Sequence, residues 1–399
     1  MYSSESTSYR KQQILNSYAD EVDFHFFKQW IVSREISSAN EENKKNGLKV
    51  VADAPVAFTP VEVWQNKDLF FEDLALGCPP DYFSPDGQRW NFAVLKPEAI
   101  FNPDGTLGKG GELLRKRYEK IFESSPGGAR IDHIIGLIDP FVYSKKEPKM
   151  NEMNSGRLYS SPNHPTLGKY ARANESEYAS ILEKIVFPAA EKFGLTKDDI
   201  ICEDLGFVTE PVKKVMDGLN LSGIAITQYD YRGKEQGVNK IIMPGSHDNT
   251  SFLEYVDRMF SENEKSHLMG KSKKLAEDTI AQNMDFEQYK SEISSNKKSF
   301  LTASFAELFT SPAKKVQVFF TDFFGIPQTY NKPGQTKDCW TLRLSSNFEN
   351  LYYENLKKGT AMNLPEVLAI AIRQKGVEFS KTHAKILEEL DKFKEILKS

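Results

Sequence analysis

Ala129-Arg130-Ile131-Asp132-His133 is a short apolar run that ends on a carboxylate. The same construction returns twice. Ile200-Ile201 runs into Cys202-Glu203-Asp204-Leu205-Gly206, and Lys240-Ile241-Ile242-Met243 runs into Ser246-His247-Asp248-Asn249. Short β-branched runs bounded by polar turns read as strands. The pattern therefore predicts one carboxylate at the C-terminal end of each of three strands. In a barrel of alternating strands and helices those ends form the active face. Two converging carboxylates with a third nearby suit glycosidic-bond chemistry, which needs an acid/base, a nucleophile and a group that orients the sugar.

Outward from these strands the chain alternates in period. Leu15, Tyr18, Val22, Phe26 and Trp30 recur at helical spacing and predict an amphipathic helix to about residue 33. Gly47 breaks it, and Leu48-Lys49-Val50-Val51-Ala52-Asp53 reads as a buried strand with its own terminal acid. Pro79, Pro80, Pro85, Asp86 and Gly87 make residues 78–90 a loop. Helices over about 111–124 and 175–193 precede the Asp132 and Glu203 strands. Thr209-Glu210-Pro211 opens another helix, with a Thr cap and Pro in the first turn. Gly223-Ile224-Ala225-Ile226-Thr227-Gln228-Tyr229 and Val316-Gln317-Val318-Phe319-Phe320-Thr321-Asp322 bring the strands to six, near Val51, Ile131, Ile201, Ile226, Ile242 and Val318.

This alternation predicts an α/β fold of the (β/α)8 TIM-barrel type. A closed barrel of that type has eight strands, so two are lacking. The expected organisation is an incomplete catalytic barrel over residues 1–350 and C-terminal helices over 351–399 packed on it. The barrel carries a polar loop insertion near 141–175 and a charged helical insertion near 252–315. An open sheet edge invites association, so a partner segment or self-association is expected to complete the barrel.

Composition narrows the function. The net charge of −4 argues against a nucleic-acid surface, which needs clustered basic charge. Cys78, Cys202 and Cys339 are odd in number and match no metal motif, so no disulfide framework is expected and a reducing compartment is the default. No apolar run approaches the roughly 20 residues of a membrane helix. The polar start Met1-Tyr2-Ser3-Ser4-Glu5-Ser6-Thr7 has no signal-peptide core. A cytoplasmic location follows as the expectation.

Each candidate acid has a plain structural alternative. Arg130 and Asp132 point to the same side of a strand, which keeps a nucleophilic carboxylate ionised but equally describes a structural ion pair. Glu203 with a raised pKa would serve as acid then base; alternatively Asp204 caps the next turn and Glu203 is a surface acid. His247 and Asp248 can bond sugar hydroxyls; alternatively Asp248 or Asn249 caps the following helix. Asp53 is a lone strand-end acid.

Together these motifs resemble the amylomaltase family, the 4-α-glucanotransferases or disproportionating enzymes. Asp81-Tyr82-Phe83-Ser84-Pro85-Asp86-Gly87-Gln88-Arg89-Trp90 resembles that family's signature loop. Arg130-Ile131-Asp132-His133 with Gly136 is similar to its nucleophile strand, and Glu203-Asp204-Leu205-Gly206 with Thr209 to its acid/base strand. Gly245-Ser246-His247-Asp248-Asn249 resembles its third carboxylate motif. Val63-Trp64, and Tyr330-Asn331-Lys332-Pro333-Gly334 with Trp340 and Arg343, also fit.

The resemblance implies Asp132 as nucleophile, Glu203 as acid/base and Asp248 as transition-state stabiliser. It implies Asp53, Tyr82, Arg130, His133, His247 and Asn249 as substrate-binding residues. It implies no metal and no organic cofactor. The substrate would be a maltodextrin or glycogen-derived α-1,4-glucan, handled without nucleic acid or membrane. Against the family pattern, the first two barrel strands have no counterpart before Val22, and Asn91-Phe92-Ala93 replaces Gly-Asn-Pro after Trp90. Two rivals remain at this level: a Mg²⁺-dependent barrel enzyme using the same carboxylates, and a non-catalytic glycan-binding fragment.

Overall fold

The computed structural model describes residues 4–80, 84–229, 233–332, 335 and 337–397. The chain forms two compact units, Met1–Leu221 and Ser222–Ser399. The first contains strands β1 (Ala52–Ala54), β2 (Leu74–Cys78), β3 (Gln88–Phe92), β4 (Ala129–Ile131), β5 (Phe141–Ser144), β6 (Ser155–Arg157) and β7 (Ile200–Cys202). The second contains β8 (Gly223–Ile226), β9 (Lys240–Met243) and β10 (Lys315–Val316). Ile131, Ile201, Ile226 and Ile242 lie in strands as expected, Val51 and Val318 lie just outside β1 and β10, and the six strands pair in parallel as β1-β4-β7 and β10-β9-β8.

In the first unit the register aligns Asp53 with Arg130 and Arg130 with Ile201. Ile131, Ile200 and Cys202 are buried beneath the helix Lys109–Ser124 and the helical run Glu175–Ile181, Leu182–Val186, Phe187–Glu191. Those helices contribute Leu114, Tyr118, Phe122, Ile181, Leu182 and Ile185 to the same core. Period-3.6 patterning on the helices and β-branched strands explain this layer. Gly128 permits the close start of β4 beside β7: at φ 99° a Cβ there would stand 1.8 Å from the Asp199 carbonyl oxygen.

Three expectations need correction. The segment near 141–175 expected as a loop supplies β5 and β6 to the antiparallel sheet β3-β2-β5-β6, and Leu158, Tyr159 and Leu167 beyond them are buried. Tyr143 plugs that sheet, its hydroxyl accepting from the Asn91 N–H at 2.9 Å and donating to Asn91 Oδ1 at 2.8 Å. The strand before Asp53 is shorter and less buried than expected, with Leu48, Val50 and Val51 61%, 38% and 44% exposed. Among the described strands β1 has a partner on one side alone, β4. The N-terminal helix is two helices, Ser4–Ser17 and Ala19–Lys45; the second buries none of its residues and is tied down by Asn40 Nδ2 donating to Ser124 O at 2.9 Å.

In the second unit helices Phe252–Met259, Lys265–Thr279, Phe286–Ser295 and Lys297–Thr310 lie between β9 and β10. Their core holds Phe252, Tyr255, Phe300 and Phe305. Of the run expected as a strand over 316–322, Val316 alone lies in a strand, and the chain then turns into the helix Phe320–Phe324, whose Asp322 carboxylate accepts the Phe252 N–H at 2.8 Å. Helices Phe348–Lys358, Leu364–Gln374, Val377–Thr382 and Ala384–Ile396 close the unit, with Leu364–Gln374 packed on Lys297–Thr310. No helix among the described residues is long and apolar enough to cross a membrane.

Candidate active site

The ladder of β1, β4 and β7 runs one residue past the named strands. Asp132 N–H donates to Ala54 O, and Glu203 N–H donates to Ile131 O, both at 3.0 Å. The backbones of both acids are therefore fixed by sheet geometry. Asp53 stands directly opposite Arg130, and Asp132 lies two residues along the same strand, on the same face. Arg130 Nη1 uses this placement to bridge the two, at 2.6 Å from Asp53 Oδ1 and 2.9 Å from Asp132 Oδ1. Burial works against the guanidinium charge, but Asp132 and Asp53 outweigh it and raise the Arg130 pKa.

Glu203 sits in a different environment. It is 8% exposed. Burial pushes its carboxyl up to about 7, against the Leu205 N–H and the Arg130 charge, and with some help from Asp132. Its two oxygens accept backbone N–H groups, Oε1 from Leu205 at 2.7 Å and Oε2 from His133 at 2.9 Å. Glu203 is thus no surface acid, and Arg130 is shared between two carboxylates rather than locked into a simple pair.

His133 serves this site through its main chain. Its φ of 46° and ψ of 61° lie in the left-handed region. Its ring packs edge-to-face on Trp90, centroids 4.9 Å apart. Burial, then the Arg157 charge, lowers its pKa to about 4, so the imidazole is neutral.

In the second unit the loop after β9 carries the remaining candidates. Asp248 Oδ1 accepts Asn331 Nδ2 at 2.5 Å, and His247 Nε2 lies 3.3 Å from Asp248 Oδ2. Asn331 N–H also donates to His247 O at 3.1 Å. The His247 ring lies 5.0 Å from Trp340, itself against Tyr330. Neither Asp248 nor Asn249 caps the next helix; Ser251 does, accepting from Glu254 N–H. Asn249 is buried and its amide holds the loop: Oδ1 accepts from Ser246 N–H at 2.8 Å and Ser246 Oγ at 3.0 Å, and Nδ2 donates to Tyr229 OH at 2.7 Å.

The structure thus brings Asp53, Arg130, Asp132, His133 and Glu203 together, and separately groups His247, Asp248 and Asn249. Tyr82 lies outside the described residues. Spacing alone missed the Leu205 N–H, in the turn after β7, and Tyr229, since the run expected as a strand over 223–229 leaves the sheet after Ile226 and winds into a 3-10 turn at Thr227–Tyr229.

A sequence model of the family described as 4-alpha-glucanotransferase matches residues 2–348. The 4-alpha-glucanotransferase of Thermus thermophilus is 27% identical over 256 residues, covering 59% of this chain and 44% of that one. The chloroplastic/amyloplastic 4-alpha-glucanotransferase of Arabidopsis thaliana is 24% identical over 364 residues, covering 86% of this chain and 54% of that one. The chain thus spans about half the length of the curated relatives it matches. Among solved structures, the amylomaltase of Streptococcus agalactiae in complex with acarbose superposes with a TM-score of 0.59 at 18% identity, covering 88% of this chain and 66% of that one. The amylomaltase of Corynebacterium glutamicum gives a TM-score of 0.57, also at 18% identity, covering 92% of this chain and 50% of that one. These structures share its fold, and with nearly all of its first 348 residues matched the chain belongs to the 4-alpha-glucanotransferase family.

Proposed function

We propose that the chain carries the catalytic carboxylates of a retaining 4-α-glucanotransferase, which moves α-1,4-glucan segments between maltodextrins. One observation carries the reading: two neighbouring strand-end acids lie in opposed environments. Asp132 is ion-paired with Arg130, while burial holds the Glu203 carboxyl near 7. Environments that separate two acids in this way divide them into nucleophile and acid/base.

In the first step the Glu203 proton goes to the glycosidic oxygen as an Asp132 oxygen bonds to the anomeric carbon and the C1–O4 bond breaks. The leaving sugar departs with the proton, and the donor segment remains as an ester of Asp132. In the second step the 4-hydroxyl of an acceptor gives its proton to Glu203 and displaces Asp132, which restores the enzyme. The two backbone N–H donors on Glu203 steady the carboxylate form it holds between the steps. Asp248, held by Asn331, is assigned to sugar hydroxyl contacts that strengthen in the transition state. Asp53, Tyr82 and His247 are assigned to substrate. Arg130, His133 and Asn249 act by holding the acids and their loops. The six parallel strands support a (β/α)8-type barrel as the framework.

The test is incubation with maltotriose. Glucose together with longer maltodextrins is the expected outcome, and a glucosyl ester on Asp132 should be trapped from an activated donor in Glu203→Gln. Maltodextrin binding with neither transfer nor hydrolysis would replace this reading with that of a glycan-binding fragment.

A further inference from the structure

The helices of the second unit bury an ion pair with no part in the chemistry above. Lys271, on Lys265–Thr279, is 3% exposed, and Glu307, on Lys297–Thr310, is 0% exposed. Lys271 Nζ lies 3.5 Å from Glu307 Oε2. Two further bonds of this pair leave the two helices. Lys271 Nζ donates to Thr227 O at 3.2 Å, and Glu307 Oε1 accepts the Gly233 N–H at 2.9 Å. The pair therefore holds the backbone at Thr227 and at Gly233. The fit at the second point is tight, since a Cβ on Gly233 would stand 2.8 Å from Glu307 O.

Gln228 and Tyr229, next to Thr227, in turn brace the Asp248 loop. Gln228 N–H donates to Pro244 O at 3.3 Å, and Gln228 Nε2 donates to Thr250 O at 2.9 Å. Tyr229 OH accepts Asn249 Nδ2 at 2.7 Å. Gly245 leaves room for this contact: a Cβ there would lie 2.6 Å from Gln228 Nε2. The bonds bracket Asp248 on both sides in sequence. A buried ion pair is weak evidence for stability, because taking two charges from water costs several kcal/mol, and apolar residues of similar size often serve the fold as well. Its bonds are better evidence of its use.

We infer that Lys271 and Glu307 are positioning residues, which set the Asp248 loop from the helical insert by holding the backbone at Thr227, beside Gln228 and Tyr229. The inference rests on the proposed role of Asp248. It also predicts a local effect that can be read without any activity.

The experiment compares the full chain with Lys271→Met/Glu307→Met, Glu307→Gln, and each combined with Asp248→Asn. In the double variant, amide exchange over residues 245–250 should speed up about tenfold, with β1, β4 and β7 unchanged. Its kcat on maltotriose should fall about tenfold or more with KM nearly constant, the size of effect expected from misplacing a catalytic group. In the Asp248→Asn background the same substitutions should cost almost nothing further, because both act through one carboxylate. A merely structural pair would instead lower stability without this non-additivity. Should the double variant fail to fold, the isosteric Glu307→Gln carries the test, with the same local exchange increase at about fivefold. Unchanged exchange over 245–250 in a folded variant overturns the clamp. Additive kcat losses in the Asp248→Asn background also overturn it. A parent with no transferase activity but faster loop exchange in the variants would remove the proposed reaction and leave the clamp standing.

Discussion

The backbone N–H of His133 donates to Oε2 of Glu203 at 2.9 Å, from a residue held in left-handed backbone at φ 46°. That conformation costs a non-glycine residue about 1–2 kcal/mol. The turn directs one amide at the buried acid, and the Leu205 N–H meets the other oxygen. Burial and two fixed donors pull the Glu203 pKa in opposite directions. Burial wins, leaving the group near 7, where it can both give and take a proton.

This sets the pH dependence of donor cleavage. Protonated Glu203 is required, so kcat/KM for maltotriose should fall as pH rises through about 7. An α-glucosyl fluoride needs little protonation of its leaving group. With that donor, Glu203→Gln should keep partial first-step activity and show no alkaline limb. The check is a pair of pH–rate profiles, and an alkaline limb that persists in Glu203→Gln would remove the acid assignment.

The same shift links stability to pH. The folded pKa of Glu203 lies above its ordinary 4.5, so between about 4.5 and 7 the unfolded chain binds fewer protons and the native state loses stability as pH rises. Apart from a constant offset, Glu203→Gln should gain on the parent across that window by on the order of 3 kcal/mol, and no further above it. His133 runs the other way. Its folded pKa of about 4 lies below 6.5, so its contribution is full above 6.5 and is lost as pH falls towards 4. Urea unfolding at intervals of pH should show the two variants, Glu203→Gln and His133→Asn, diverging from the parent with opposite slopes.

Asp132→Asn should lower transfer by about 10⁴-fold or more while maltodextrin binding survives, because the covalent step loses its nucleophile. Arg130→Lys should cost about 10- to 100-fold in kcat, since a flexible ammonium holds Asp53 and Asp132 less rigidly than a planar guanidinium. Steady-state kinetics with a binding isotherm for each variant separates the two losses. Near-parental transfer by Asp132→Asn would sink the nucleophile assignment.

Gly128→Ala tests the seam between β4 and β7. Its Cβ meets the Asp199 carbonyl at 1.8 Å and its φ is 99°, so the strands must part to admit it. A loss of about 3 kcal/mol or more is expected from denaturant midpoints, with activity falling in step because both acids follow these strands.

The acids themselves were legible without coordinates. Asp132, Glu203 and Asp248 each follow a short β-branched run, and alternation along a strand already put Arg130 on the face of Asp132. The six parallel strands and the helices over 252–310 were legible for the same reason, since periodicity is local. Tertiary structure alone decided what each acid can do. Asp53 reaches Arg130 across 77 residues, and His133 reaches Glu203 across 70. No local pattern shows that Glu203 is buried or that Arg130 is shared with Asp53. The sheet β3-β2-β5-β6 escaped notice because its register comes from partners far along the chain. Sequence determined which groups stand at strand ends, because backbone preference acts between neighbours. Burial and charge pairing depend on what packs around each group, so only the folded chain divided one carboxylate from another.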